Sequence, residues 1–357
     1  MVLALAGICR RSRAGLRGRV AALFAAMTLL VAACASPPQR GEGSAVVFQP
    51  SAESFAMLTQ LNAFSGDFFA RQGVDVTYNP VIPNAAQATQ SVTGGADIAI
   101  VGSTGVVPTV AAARDVVTVA VIAKGPTTQI TLRDDVIDRL GVSPDAPVRE
   151  RIAALKGLSL ALPTPGSATD VMVREALRSY GVQPDSDLTI RPVTEPSALV
   201  TAMREKQVDG FAFSAPTSVQ PVAEGYGTVW LSVSDLPEYA DMPWIDVVTS
   251  RQYLKDHRAT VVKFVRALSE AASDLRANPD QAADRIRNKY YPDLSEQAFG
   301  KSFELALPSA LKDPMPTQHG LDVLLEVVNA SADSPSQVQF DELYDRTVVS
   351  DAGGGKS

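Results

Sequence analysis

The chain runs to 357 residues, room for two domains of ordinary size, and 46% of them are apolar, enough to fill two cores. Its 32 lysines and arginines are outnumbered by 39 acidic residues, which argues against nucleic acid as a partner. The only histidines, His257 and His319, and a pair of cysteines argue against a conventional transition-metal site, and no cofactor motif is present.

Arg10, Arg11, Arg13, Arg17 and Arg19 come first, with no acid among them, and an apolar run over residues 20–33 follows. A charged start, a short apolar core and small residues at its end read as a signal peptide over residues 1–33. The run is short for a membrane span, which takes about 20 residues. Cys34, directly after Val31-Ala32-Ala33, resembles the lipidated cysteine of a bacterial lipobox. The resemblance implies a hydrocarbon anchor on Cys34, with residues 34–44 as a polar tether. It puts the protein in the cell envelope, on the outer face of the cytoplasmic membrane or in the periplasm. An ordinary secretory signal with a chance cysteine is the alternative. Removing residues 1–33 takes five arginines away and leaves a mature charge of about −12. Only Cys34 then remains of the cysteines, so no disulfide forms within the mature chain.

Residues 45–49 read as a short buried strand, followed by a helix to about Arg71 with Ser51 as N-cap. Gly73 breaks that helix, and residues 74–81 form the next strand. Pro83-Asn84 opens a helix ending at Gly94-Gly95, and residues 97–101 are again an apolar strand. The turn Gly102-Ser103-Thr104-Gly105 leads into a short helix, and residues 116–122 form another strand. Lys124-Gly125-Pro126 then punctuates the chain. Beyond it, strands are expected at 129–132, 158–162, 188–193 and 210–213, with helices over 168–180 and 196–207. A return to the first domain is expected near 229–233, then a strand at 244–249. Helices follow over 251–277 (with a break at Asp256-His257), 280–289, 295–306 and 320–330. Short apolar strands alternating with helices indicate βαβ units and a largely parallel sheet.

The chain also repeats itself. Asp75, Thr77, Pro80, Val81, Ala86, Thr89 and Asp97 are matched, without a gap, by Asp187, Thr189, Pro192, Val193, Ala198, Thr201 and Asp209. The strand at 158–162 stands at the same offset from the strand at 45–49. Two long copies exclude a solenoid and predict two similar lobes. The expected division is 45–123 with 228–346 for lobe one, 124–227 for lobe two, and a disordered tail over 347–357. Hinges are expected at 123–125 and 223–229.

Several runs carry a family resemblance. They are Gly73-Val74-Asp75-Val76, Gly94-Gly95-Ala96-Asp97-Ile98-Ala99, and Val208-Asp209-Gly210-Phe211 leading to Pro216. Ser250-Arg251-Gln252-Tyr253-Leu254-Lys255-Asp256-His257, the helix from Val261 to Leu268, and Asn278-Pro279-Asp280-Gln281-Ala282-Ala283 complete the series. In this order and spacing they resemble the NMT1/SsuA/THI5-like substrate-binding proteins over most of residues 45–329. The resemblance implies an α/β, two-lobed periplasmic binding protein type II fold with two crossover hinge segments. It also implies a solute-binding lipoprotein working with the permease and ATPase subunits of an ABC importer. Ligands of the family are sulfonates, taurine, nitrate or pyrimidine precursors of thiamine. One departure is Phe48-Gln49-Pro50-Ser51-Ala52-Glu53, where many members carry a hydrophobic Tyr/Pro-containing motif.

Ligands of open α/β sheets bind beyond the carboxyl ends of the strands. Four turns lie there: 49–53, 102–105, 164–170 and 214–217. Each leads from a strand into a helix N-terminus, whose free N–H groups and dipole attract polar heads. The candidate ligand residues are Gln49, Ser51, Gly102, Ser103, Thr104, Thr164, Gly166, Ser167, Thr169, Ser214 and Trp244. Ser51, Ser103, Ser167 and Ser214 are equally good helix caps, which need no ligand. No lysine or arginine falls within the four turns, which favours a ligand with an apolar or aromatic body and a modest polar head. Phe48, Phe55, Phe211, Phe213 and Trp230 are further candidate walls. Asp97 and Asp209 occupy equivalent places at strand starts, away from the ligand end, so they read as scaffold and not as an acid pair.

There is no Gly-x-Ser-x-Gly elbow and no phosphate loop, so an enzyme is not expected. The alternatives are a ligand-sensing lipoprotein without transport and, behind it, a pyrimidine-precursor synthase or a menaquinone-pathway enzyme on the same fold. The synthases carry a cysteine-rich motif that this chain lacks.

Overall fold

The structure, a computed structural model, describes residues 45–353 apart from Glu53, Lys312, Ser331 and Asp333. The expected signal peptide, Cys34 and the tether lie outside the described residues. Among the described residues ten strands alternate with helices: β1 (Ala45–Pro50), β2 (Asp75–Tyr78), β3 (Ile98–Gly102), β4 (Val117–Lys124), β5 (Thr128–Arg133), β6 (Ser159–Leu162), β7 (Thr189–Pro192), β8 (Gly210–Ser214), β9 (Gly227–Ser232) and β10 (Pro243–Thr249). They form two five-stranded sheets, in the orders β2-β1-β3-β10-β4 and β7-β6-β8-β5-β9. β1 pairs in parallel with β2 and β3, and β6 in parallel with β7 and β8. β10 runs antiparallel to β3 and β4, and β5 antiparallel to β8 and β9. The two sheets therefore have one topology. In the first sheet the antiparallel strand beside the parallel trio, β10, follows the whole of the second sheet in the chain, and in the second sheet its counterpart β5 immediately precedes the trio.

The repeat seen in the sequence extends to single atoms. Asp97 accepts the Val47 N–H at 2.7 Å, and Asp209 accepts the Ser159 N–H at 2.8 Å. In both copies the aspartate's own N–H donates to the same partner's carbonyl. Each carboxylate thus ties the start of one strand to the start of its neighbour and fixes the register. Burial pushes Asp209 up, but the Ser159 N–H and hydroxyl, with the Arg133 and Arg139 charges, outweigh it and hold the carboxyl below its ordinary value.

Apolar strands are covered on both faces, as parallel sheets require. β3, β4 and β10 are buried along their whole lengths. Helix Arg258–Ala277 packs Phe264 against Phe48 and Phe69, and its stripe of Val261, Val265, Leu268 and Ala271 has helical spacing. Helix Ala168–Ser179 starts at Ser167, whose hydroxyl accepts the Asp170 N–H, and buries Met172, Val173, Ala176 and Leu177.

Two expectations are corrected. The sequence places the return to the first sheet near 229–233, with a hinge at 223–229 and a lobe boundary at 228. Gly227–Ser232 is instead β9, the edge strand of the second sheet, paired along β5. The crossing back lies between β9 and β10, through two short 3-10 turns at Val233–Asp235 and Pro237–Tyr239. An apolar strand announces a sheet, but not which of two similar sheets it joins. The tail expected to be disordered from residue 347 opens as helix Arg346–Asp351, with Val348 and Val349 buried. Just before it, the Asp345 N–H donates to the Thr118 carbonyl on β4, so the tail covers an exposed sheet edge. Residues 354–357 lie outside the described residues.

Candidate ligand-binding site

The carboxyl ends of β1, β3, β6 and β8 converge where the two sheets meet. A Cβ built on Gly102, at the end of β3, would lie 3.5 Å from Ala168 Cβ at the start of the facing helix. The two halves touch there. A second bridge is the Phe55 N–H donating to the Ala215 carbonyl at 3.2 Å. A third is a buried polar knot, in which the Trp244 indole N–H donates to Thr127 Oγ1 at 3.1 Å and that hydroxyl is paired with Ser214 Oγ at 3.1 Å. Trp244 belongs to the first sheet, Ser214 to the second, and Thr127 to the crossing between them.

The crossings are held to each other as well. The Gly125 N–H donates to the Met242 carbonyl, and Ser309 Oγ reaches the carbonyls of Lys124 and Gly125. The buried Lys124 ammonium pairs with Asp241 at 3.1 Å, and Thr317 donates to the other Asp241 oxygen. Burial raises the Asp241 carboxyl, but the Thr317 and Lys124 bonds prevail and hold it below its ordinary range.

Beside the Gly102–Ala168 contact lies a cavity of about 590 Å³. Thr104 and Pro108 line it from the first half, Gly166, Asp170, Val171 and Arg174 from the second, and Val328 closes it from helix Gln318–Asn329. Its size suits a small ligand. Asp170 is buried: one oxygen accepts the Gly166 N–H at 2.9 Å and the other the Arg174 Nε–H at 2.8 Å. Gly166 has φ of +79°, a left-handed conformation that glycine adopts without strain, and this turns its N–H toward the carboxylate. Arg174 also reaches Asp185 at 2.5 Å. Burial works against its charge, but the bonds to Asp170 and Asp185 outweigh it and hold the guanidinium above its ordinary pKa.

Of the residues expected from sequence, Thr104 and Gly166 line this cavity. Gln49 is turned to the Pro80 carbonyl at 2.6 Å, and the Ser51 N–H donates to Ile100. Ser103 donates to the fully buried Asp246 at 2.9 Å, away from the cavity, while Ser167 serves as a helix cap. Thr164 pairs with Thr194 at the surface, and Thr169 is buried. Ser214 and Trp244 hold the knot at the junction. Phe48, Phe55, Phe211 and Trp230 are core residues: Phe48 packs at a tilt against Phe64 and Tyr78, Phe55 meets Tyr291 and Phe299 edge-on, and the Trp230 N–H donates to the Arg151 carbonyl. Phe213 is half-buried on β8.

Arg174 and Arg178 fall outside the four turns and so escape a reading centred on them. Both stand on the helix that leaves the turn, and Arg174 is one helical turn beyond Asp170. The i,i+4 acid–base spacing is the available signal. Asp246 has no such signal in the chain. It sits on central strand β10 with both oxygens engaged, by Ser103 at 2.9 Å and Thr118 at 3.3 Å. Burial pushes its carboxyl up to about 7, against the opposing pull of the two hydroxyls.

Comparison with known proteins follows the same lines. A model of the NMT1-like family matches residues 55–287. A Brachyspira hyodysenteriae protein named as a candidate ABC transporter periplasmic binding protein is 30% identical over 158 residues. That match spans 44% of this chain and 43% of the relative, so less than half of each. A solved Bordetella bronchiseptica structure superposes with a TM-score of 0.70 at 17% identity, covering 87% of this chain and 97% of that one. The periplasmic aliphatic sulphonate binding protein SsuA of Escherichia coli gives 0.61 at 16% identity, covering 80% and 91%. At these identities the structural likenesses establish a shared two-lobed α/β fold, that of the periplasmic binding proteins. With its duplicated sheets, its crossing segments and a family match over most of its length, the chain belongs to the NMT1-like family.

Proposed function

We propose that this chain is the extracytoplasmic solute-binding component of an ABC importer. It captures a small organic ligand between its two lobes: a sulfonate, a taurine-like compound or a pyrimidine precursor of thiamine. The observation that carries the reading is a ligand-sized cavity bounded by strand-to-helix turns of both sheets, in a chain that crosses between those sheets at residues 125–127 and 233–242. Ligand that touches both halves favours the closed arrangement and shifts the population toward it, and the crossings absorb the rotation. The loaded form then docks on a membrane permease, which an attached ATPase drives. The family and the names of its relatives support this role.

In this reading Cys34 carries the lipid and residues 35–44 are its tether. Mass spectrometry of Cys34 in the membrane fraction tests the anchor; an unmodified thiol there rules it out. Native mass spectrometry of freshly isolated protein tests ligand capture, followed by calorimetry with alkanesulfonates, taurine and aminopyrimidines. Binding of none of them, with nothing co-purifying, would overturn the role.

A further inference from the structure

The cavity holds an ion-pair arrangement whose two acids are not alike. Arg174 gives its Nε–H to Asp170, whose side chain is 5% exposed and whose other oxygen is occupied by the Gly166 N–H. Its NH1 goes to Asp185, whose side chain is 75% exposed on the short helix Pro184–Asp187. The first contact is fixed by burial and by two hydrogen bonds. The second is a solvent-facing ion pair, which contributes little. One edge of the planar guanidinium is thus oriented by the fold while the other is held by a weak partner.

Asp185 also faces Arg178, at 3.9 Å, while Arg178 donates across the halves to the Ala330 carbonyl. Arg178 also pairs with Glu175 at 3.8 Å and keeps that partner without Asp185. Moving Asp185 out therefore frees the outer edge of the Arg174 guanidinium, whose other partner, Asp170, stays on Nε. A guanidinium edge presents parallel N–H donors that fit a carboxylate or sulfonate head. Pro108, Pro165, Val171 and Val328 supply an apolar wall for the rest of such a ligand.

We propose that Arg174 is the residue that recognises an anionic head, and that Asp185 is the counter-ion the ligand displaces on entry. This rests on the solute-binding reading above and narrows its ligand to an organic anion with an apolar body. It also replaces the sequence-based preference for a weakly polar head.

The test is calorimetry with butanesulfonate, butyrate and the uncharged butanamide on the full mature chain and on Arg174→Gln, Arg174→Lys and Asp185→Asn. The expected result is that an anionic probe binds and butanamide does not. Arg174→Gln then weakens binding by about tenfold to a hundredfold, the worth of a charge-assisted hydrogen bond. Arg174→Lys, which keeps the charge but loses the fork, falls between. Asp185→Asn, an exposed change that leaves the fold intact, tightens binding by about threefold or more as the competitor is removed. Asp185→Asn keeps the test decisive even if the Arg174 variants fail to fold. Weaker binding by Asp185→Asn, or equal binding by folded Arg174→Gln, would overturn the assignment. If the wild-type protein takes an aminopyrimidine and rejects both anions, the Arg174 assignment fails while the solute-binding role stands. If it binds no small molecule at all, both fail.

Discussion

Replacing Asp246 with asparagine should flatten the dependence of stability on pH. Asp246 is fully buried on β10, between β3 and β4, and its carboxyl is pushed up to about 7 from an ordinary 3.8. Between these two values the folded protein keeps a proton that the unfolded chain has lost. Stability therefore falls as pH rises through this window, and the full loss is present above the folded value. At about 1.4 kcal/mol per unit, the loss amounts to about 4 kcal/mol between roughly pH 4 and pH 8. The substituted asparagine cannot ionise and escapes this loss. Its amide oxygen still accepts from Ser103, and its NH₂ finds the Thr118 oxygen by a rotation of that hydroxyl. The exchange costs about 1 kcal/mol at any pH. Urea unfolding of both proteins across the window should give curves that diverge with pH. The variant is the less stable at acid pH and the more stable at alkaline pH. Curves that stay parallel would refute a raised carboxyl at this site. Tyr344, near Asp246, is itself raised well above its usual value by burial and by the Asp246 charge, so it does not titrate in this range.

Gly105→Ala should lose about 1–3 kcal/mol in urea midpoint measurements, since its Cβ would lie 2.6 Å from Ala85 Cβ and 2.7 Å from backbone atoms of Ala85 and Ala86. Gly102→Trp should wedge the halves apart at Ala168, and X-ray scattering should then report a larger radius; an unchanged radius would speak against closure at this contact. Asp209→Asn should cost about 1–3 kcal/mol at neutral pH. Because the Asp209 carboxyl is held low, its contribution is present above the ordinary carboxyl range and is lost as pH falls through its folded value. The gap to wild type should therefore narrow in acid, as chemical unfolding can check. Trp244→Phe removes the donor to Thr127 and should cost about 1 kcal/mol beyond the packing change; the remaining Trp230, fully buried, then reports unfolding by fluorescence.

Much of this molecule is written locally. Ser167, the alternating strands and the glycines after helices act over a few residues, so their elements are readable from the chain. The repeat linking Asp97 to Asp209 also survives as letters, because each carboxylate performs one bond that no other residue type performs as well. The site is less legible. Ser103 and Ser167 look alike in sequence, yet one holds a buried carboxyl and the other caps a helix. Phe48 reads as a candidate wall only because a strand's two faces cannot be told apart before its sheet is known, and Phe55 because nothing local shows which neighbours its helical turn will bury it against.

The sequence by itself determined two similar α/β halves, the turns at their strand ends and the scaffold role of the paired aspartates, since these follow from periodicity and local hydrogen bonding. Only the tertiary structure decided that β5 and β10 change sheets, that β9 stays with the second, and that the chain's end covers β4. It also decided that Arg174 meets Asp185 in the cavity and that Asp246 is sealed between two strands. These depend on pairings between residues far apart in the chain, whose free energy comes from desolvation and close packing that no local pattern encodes.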